Sequence, residues 1–265
     1  MTQQIQRRWT ETERDFLHEH FRALTYQQIG ERLGRPWTSV RHQASALGLT
    51  QGSNLGRKFS TNRTFFNEPN PLNSYWAGFI AADGYVRDNR LKIGLATKDA
   101  DHVARFASDV KYTGPLWHRD GTCIVQIACP DYVSDLARHF NITPRKSLTL
   151  KPPNISTDAE VRAFITGLID GDGSISENRY RQYVRPRITI CGTFEVLDWV
   201  REYFDRWSRP GARRAAGVRL MSGKSLHAYS VTAGRAMEVG AALREVSVPR
   251  LARKWDRLPV SRHAG

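Results

Sequence analysis

Two stretches of this sequence resemble each other: "NSYWAGFIAADGYV" at residues 73–86 and "RAFITGLIDGDGSI" at residues 162–175. Each is an apolar run with many small residues, and each ends in an aspartate followed by a glycine. Asp83 and Asp172 occupy equivalent positions, and 172 − 83 gives a period of 89 residues. The dipole of a helix disfavours an acidic group at its C-terminal end, so some other constraint must keep both acids there.

The similarity between the two halves continues beyond these stretches. Residues 90–110 match residues 185–204, and residues 123–147 match residues 227–254. Each half predicts the order helix, strand, strand, helix, strand, strand, helix. We therefore expect an α+β fold made of a pseudo-twofold pair of αββαββα repeats within one chain, and we expect the protein to be a monomer.

The small residues of the two stretches predict that their helices pack side by side. Small side chains at such spacing allow two helix backbones to approach closely. Asp83 and Asp172 would then emerge together at one end of the helix pair, where the two carboxylates repel each other. A divalent cation at this end would relieve both the repulsion and the conflict with the helix dipoles.

The segments "WAGFIAADG" (76–84) and "ITGLIDGDG" (165–173) resemble the nine-residue motif of the LAGLIDADG homing endonuclease family. The resemblance covers about residues 64–260 and implies saddle-shaped antiparallel sheets. It also implies a sequence-specific double-strand break in a long asymmetric DNA target, with a short stagger across the minor groove. The first motif departs from the second at one position, where Ala81 replaces Asp170. We interpret Asp170 as a polar residue at a helix end.

The resemblance also implies the site residues. Asp83 and Asp172 would be catalytic and would hold Mg²⁺, with Mn²⁺ as a possible substitute, together with the backbone carbonyls of Ala82 and Gly171. Hard oxygen ligands suit Mg²⁺, which keeps several waters. Each repeat ends in a basic element, and the family's habit of placing a basic residue near each scissile phosphate makes Lys146 and Lys254 further catalytic candidates. A solvated or phosphate-binding basic surface is the alternative for these lysines.

Alternation along the predicted strands places basic side chains on one face and apolar side chains on the other. Arginine on such a face can pair with guanine or hold phosphate, so we expect this face to bind double-stranded DNA. The residues predicted to bind DNA here are Arg90, Lys92, Arg181, Tyr183, Arg185, Arg187, Thr189, Arg213 and Arg219.

Residues 1–50 predict a small all-α helix-turn-helix domain that binds DNA. Thr10 and Glu13 form a capping-box pattern, and Gly34 is a C-cap candidate. The last of three helices carries Thr38, Ser39, Arg41 and His42 on its polar face. A three-helix bundle that binds protein or merely packs is the alternative. Residues 51–70, with Arg57 and Lys58, are interpreted as a basic linker in which Phe65 and Phe66 dock on the next domain. One repeat follows at 71–155 and the other at 156–265.

The composition agrees with a polyanion partner. The chain has 265 residues and a formal net charge of +14. Its three cysteines form no CxxC pair, which indicates core residues in a reducing compartment. With no apolar run long enough to span a bilayer, we expect a soluble, intracellular, cytoplasmic protein of bacterial or phage origin with no membrane partner.

Two alternatives to the endonuclease remain open. One is a transcription regulator built on a catalytically dead scaffold, in which the helix-turn-helix provides the function. The other is an RNA intron maturase with the same fold, although a helix-turn-helix reads B-form DNA more naturally than RNA.

Overall fold

The structure is a computed structural model that divides into two compact units, Met1–Ser60 and Thr61–Gly265. The described residues are 7–21, 24–49, 59–180, 183–209, 218–220 and 226–259. Within them, no helix is long and apolar enough to cross a membrane.

The first unit contains the three helices that the sequence predicts: α1 (Glu11–His20), α2 (Tyr26–Leu33) and α3 (Trp37–Ala46). The predicted capping box is confirmed, because the Thr10 side chain accepts from the Glu13 backbone and Glu13 accepts from the Thr10 backbone. The apolar faces of the helices meet in a small core formed by Leu17, Phe21, Ile29, Val40 and Ala44.

The turn between α2 and α3 is tight. Gly34 ends α2 in the left-handed region, with φ at 61°, as the sequence predicts. A Cβ at Gly30 would lie 2.5 Å from the carbonyl oxygen of Arg35, so only glycine fits there. The Arg35 guanidinium in turn holds the Glu13 carboxylate at 2.9 Å. Hydrogen bonds from Arg35 and from the Thr10 backbone lower the pKa of Glu13 to about 2.

The second unit contains two repeats with the same order of elements. The first repeat consists of α4 (Pro71–Asp83), β1 (Tyr85–Arg87), β2 (Arg90–Ala96), α5 (Ala100–Asp109), β3 (Trp117–Arg119), β4 (Thr122–Ala128) and α6 (Pro130–Phe140). The second repeat consists of α7 (Asp158–Gly171), β5 (Ser174–Tyr180), β6 (Tyr183–Gly192), α8 (Phe194–Arg206), β7 (Arg219–Leu220), β8 (His227–Thr232) and α9 (Ala233–Arg244), followed by the short helix α10 (Ala252–Trp255). The predicted αββαββα order is therefore confirmed in both halves.

Each repeat forms one antiparallel four-stranded sheet. The strand orders are β1-β2-β4-β3 and β5-β6-β8-β7, which correspond position by position. In the first sheet Asp88 and Asn89 both have positive φ, as a type I′ hairpin turn between β1 and β2 requires. Side chains along β2 alternate between the core and the open face, which fixes the register.

Residues 61–70 belong to the second unit, although the sequence assigned them to a linker. The Thr61 hydroxyl bonds to the Val110 carbonyl oxygen at 2.9 Å. The buried Phe66 ring packs edge-on against Tyr132 and Phe140, with ring centroids 5.2 and 6.4 Å away. This aromatic contact anchors the start of α4 to α6.

The helices α4 and α7 lie at the centre of the second unit and pack directly against each other. A Cβ at Gly78 would collide with the Phe164 carbonyl oxygen, and a Cβ at Gly167 would lie 2.6 Å from the Phe79 backbone nitrogen. A Cβ at Gly171 would collide with the Cβ of Ala82. The close backbone approach that the small residues predict is therefore confirmed.

We predict that Gly78→Ala and Gly167→Ala each lower the free energy of unfolding by about 1 to 3 kcal/mol, because the added methyl forces the two backbones apart. Urea denaturation followed by circular dichroism measures the loss. Gly234→Ala in α9 is the matched control, since a Cβ there meets nothing within 4 Å. Equal effects at the three positions would contradict the close helix approach.

Candidate active site

Both predicted catalytic acids lie at the C-terminal ends of the central helices. Asp83 is the last residue of α4, and Asp172 is the C-cap of α7. Both side chains are exposed to solvent. The glycine after each acid lets the chain fold tightly back over its helix: a Cβ at Gly84 would lie 2.7 Å from the Ile80 Cα, and one at Gly173 would lie 2.6 Å from the Ile169 Cα.

Asp172 lies close enough to Asp83 for its charge to act on the Asp83 carboxylate. Burial of the protein side of the Asp83 carboxylate and the negative charge of Asp172 raise the pKa of Asp83. Lys146 and Lys254 act in the opposite direction. All four predicted catalytic side chains therefore share one electrostatic environment.

The two lysines bind the carbonyl groups at the ends of the central helices. Lys146 Nζ donates to the Gly84 carbonyl oxygen at 2.7 Å. Lys254 Nζ lies within 2.7 to 3.1 Å of four carbonyl oxygens, those of Ile169, Asp170, Gly171 and Gly173. An ammonium is the side-chain group that best complements unpaired carbonyls at a helix C-terminus. Burial lowers the pKa of both lysines, and nearby aspartates partly offset it.

These contacts change the explanation of the helix-end acids. The sequence suggested that a bound divalent cation would offset the repulsion there, whereas the structure shows two lysine ammonium groups whose charges act on the same carboxylates. Both ammonium groups bind backbone carbonyl oxygens at the helix ends, and neither forms a hydrogen bond to the carboxylate of Asp83 or Asp172. Asp83 and Asp172 thus remain exposed to solvent.

The residues present fit a divalent cation only in part. Among the described residues, no group of three or more His, Cys, Asp or Glu side chains could hold a metal ion. Asp83 and Asp172 would supply two carboxylates, and waters and substrate phosphates would have to complete the shell, which is the usual binding mode of Mg²⁺. The Gly171 carbonyl already accepts from Lys254 at 3.1 Å, so only its second lone pair could reach a metal.

Asp170 is not the simple helix-terminal polar residue that the sequence suggested. Its side chain is buried, and its Oδ2 accepts from the Tyr75 hydroxyl of α4 at 2.8 Å. Tyr75 in turn bonds to His102 Nε2 at 2.8 Å, and burial lowers the pKa of His102 to about 4, so this imidazole is neutral. Because Tyr75 gives its only proton to Asp170, His102 carries its proton on Nε2.

The basic residues beside Lys254 have structural contacts. Arg253 forms two hydrogen bonds to Asp99 of the first repeat, at 2.7 and 2.6 Å. Arg250 donates to the carbonyl oxygens of Leu243 and Val246, both at 2.6 Å. Arg250 and Arg253 therefore fix the backbone of the basic element at the end of the second repeat, and the same element contributes Lys254 to the site.

The sheet faces are arranged as the strand alternation predicts. In β2, Arg90 is exposed and Lys92 half-buried, while Leu91, Ile93 and Leu95 face the core. In the second sheet, Arg185 is exposed and Arg187 and Thr189 are half-buried. Tyr183 and Arg219 lie on β6 and β7. The other predicted DNA-binding residues of the second unit and linker lie outside the described residues: Arg57, Lys58, Arg181 and Arg213.

A groove of about 560 Å³ opens on the first sheet directly beside Asp83. Its lining residues are Asp83, Tyr85, Lys92, Gly94, Thr122, Ile124 and Gln126. Tyr85, Lys92 and Gln126 are cross-strand neighbours in one row. The sequence prediction missed Tyr85, Gln126 and the exposed Trp117, because it took only Arg90 and Lys92 from the first sheet; the same period-2 alternation would have found them.

In the first unit, the predicted residues of α3 share its accessible side. Thr38, Arg41 and His42 are exposed and Ser39 is half-buried. The prediction missed Trp37, which is half exposed and has the Arg41 guanidinium 5.4 Å from its ring centroid. An exposed tryptophan at the first turn of this helix is an additional candidate for contact with a ligand.

Comparisons with known proteins return structures of homing endonucleases. No protein family model and no curated protein match the chain. It is similar to the LAGLIDADG homing endonuclease I-GzeII in complex with its DNA target, at 11% identity and a TM-score of 0.49, covering 72% of this chain and 88% of that one. It is also similar to the LAGLIDADG meganuclease I-AabMI bound to uncleaved DNA, at 11% identity and a TM-score of 0.47, covering 70% and 87%. The match to I-LtrWI bound to target DNA has 9% identity and a TM-score of 0.40, covering 76% and 86%. The family that the two sequence motifs resemble is thus the one that the structural matches name, and at these identities the chemistry has to be argued from the residues of this chain.

We predict that Asp83→Asn stabilises the protein by about 0.5 to 2 kcal/mol in metal-free buffer at pH 7. It removes a charge that burial and the neighbouring Asp172 carboxylate both disfavour. The pKa of Asp83 is raised in the folded state, so the cost of its charge is felt at neutral pH and disappears as the pH falls toward the ordinary value of 3.8. The gain should therefore shrink between pH 7 and pH 4.5 in urea denaturation.

Asp101→Asn is the matched control for this stability measurement. Asp101 is an exposed acid in the first turn of α5, where the helix dipole favours a negative charge. Its replacement should be neutral or slightly destabilising. A loss of stability in Asp83→Asn at pH 7 would show that the two acids are not in conflict.

Proposed function

We propose that this protein is a DNA endonuclease that hydrolyses one phosphodiester bond in each strand of a double helix. The observation that carries the proposal is the pair of exposed carboxylates, Asp83 and Asp172, at adjoining ends of two closely packed helices. Neither acid contributes to the core, and the charge of Asp83 is disfavoured by burial and by the carboxylate of Asp172. Groups that carry such a cost are typical of functional sites.

The two repeats supply the DNA-binding surface in this proposal. Each sheet buries its apolar face and presents polar and basic side chains, including Arg90 and Lys92 in one sheet and Arg185 and Arg187 in the other. Arginine can pair with guanine edges and hold backbone phosphates. Two different sheets would read two different half-sites, so the target would be long and asymmetric.

The chain's own residues have separate tasks at the cleavage site. Asp83 and Asp172 would each hold a divalent cation, Mg²⁺ with Mn²⁺ as a possible substitute, beside one scissile phosphate. When bound, the metal would supply an activated water and charge stabilisation. Lys146 and Lys254 hold the helix-end carbonyls and keep positive charge near the acids, which lowers the repulsion that an incoming phosphate meets.

One observation favours a second candidate, a DNA-binding regulator without nuclease activity. Lys254 already occupies the carbonyls at the end of α7, including that of Gly171, and so reduces the ligands left for a metal. This reading needs no cation. A regulator without nuclease activity would not explain why two exposed aspartates lie at the helix ends, so we favour the endonuclease.

Cleavage of a plasmid library with randomised inserts tests the proposal. With Mg²⁺ we expect discrete linear products whose sequenced ends give the target and the stagger. The Asp83→Asn/Asp172→Asn variant should bind the recovered target and leave it intact. Sequence-specific binding without cutting in Mg²⁺ or Mn²⁺ would favour the regulator, and cleavage or splicing of RNA alone would favour a maturase.

The first unit, Met1–Ser60, would add affinity to the same complex through α3. We predict that deletion of residues 1–55 weakens DNA binding and flattens its dependence on salt, because phosphate contacts of the unit are lost. The position of the cut should stay the same. Fluorescence anisotropy at several salt concentrations and sequencing of the product ends measure both effects; a shifted cut would contradict the modular arrangement.

A further inference from the structure

Asp170 holds a segment of chain that has little structure of its own. The short helix α10 has four residues, too few to be stable without tertiary contacts. Asp170 Oδ2 accepts from the Leu251 backbone nitrogen at 3.0 Å, and Asp170 Oδ1 accepts from Trp255 Nε1 at 2.8 Å. The buried carboxylate thus grips the segment Leu251–Trp255 at both of its ends.

Lys254 lies inside this gripped segment. Its ammonium reaches the carbonyl oxygens of Ile169, Asp170, Gly171 and Gly173, which flank Asp172 in the chain. A long lysine side chain loses much rotational freedom when it is held in one place. Its position at the end of α7 therefore depends on how firmly the backbone from Leu251 to Trp255 is fixed.

The first repeat has no such carboxylate. The corresponding residue is Ala81, which is buried and has only a methyl group, so it cannot hold a neighbouring segment by hydrogen bonds. Lys146 is instead supported by a backbone turn in which Arg145 has a φ of 63°, and it binds the single carbonyl oxygen of Gly84. The C-terminal ends of α4 and α7 thus have different supporting contacts, although each end has one aspartate and one lysine.

We propose that Asp170 is a positioning residue that sets the place of Lys254, so that cleavage of one DNA strand depends on Asp170 and cleavage of the other does not. This inference rests on the proposed endonuclease function. Asp170 is buried and acts through Lys254, without contact to DNA. A small displacement of the lysine is enough for a large change in rate, up to about 100-fold for 1 Å.

The test compares the two strands within one molecule. A linear duplex with the recovered target carries a different fluorophore on each strand, and single-turnover cutting in Mg²⁺ is followed on a denaturing gel. We expect Lys254→Met to slow one strand selectively. Asp170→Asn should slow the same strand by about 10- to 100-fold relative to the other. The unaffected strand reports that the protein is folded and bound.

Tyr75→Phe is the matched control. It removes the third donor to the Asp170 carboxylate, the one from α4, and leaves both bonds to the segment Leu251–Trp255. The ratio of the two strand rates should stay within about twofold of the wild-type ratio, because Lys254 is not released. A changed ratio of the strand rates would mean that losing any one hydrogen bond to the Asp170 carboxylate has this effect. It would overturn the proposal that Asp170 acts by positioning Lys254.

A second variant covers the case in which Asp170→Asn does not fold. Trp255→Phe keeps an aromatic ring in the core but removes the Nε1 donor to Asp170 Oδ1 together with part of the indole, and it should shift the strand ratio in the same direction. Equal slowing of both strands in these variants would reduce Asp170 to general stability and overturn the proposal. Absence of any cutting by the wild-type protein would instead refute the endonuclease itself, and the inference would fall with it.

Discussion

The structure depends on one steric constraint, the contact between the backbones of α4 and α7 at Gly78 and Gly167. No side chain separates the helices at these positions. Everything else in the second unit is arranged around this contact: each helix begins a repeat, each repeat closes its own sheet, and the two acids reach the surface at adjoining ends. Any larger residue at the crossing would move the acids apart together with the repeats that carry them.

The same contact sets the electrostatics of the site. Two helix C-termini and two carboxylates meet where their charges oppose each other, and two lysines bind the helix-end carbonyls there, Lys146 buried and Lys254 half-buried. The lysines stabilise the helix ends, while the solvent sides of the acids remain accessible.

The sequence predicted the parts of the structure that repeat. Asp83 and Asp172, the glycines between the helices, the order of elements and the alternation in β2 all follow from periodic patterns. The roles of Asp170 and Lys254 could not be predicted in this way, because their partners lie about 80 residues apart in the chain and are joined only by folding. Within residues 61–70 the sequence also predicted that Phe65 and Phe66 dock on the second unit, and Phe66 packs against Tyr132 and Phe140. The polar composition around them had suggested a linker.

The most direct test of the account is strand-resolved cleavage by the two single variants, Asp83→Asn and Asp172→Asn. If one helix pair presents one acid to each strand, each variant should nick the recovered target, and the two variants should spare opposite strands. We expect each variant to convert a plasmid with the target to a nicked circle, with the nick in a different strand for each variant. Loss of the same strand in both variants, or double-strand cutting at the wild-type rate in either, would contradict the central claim that the paired helix ends form two sites.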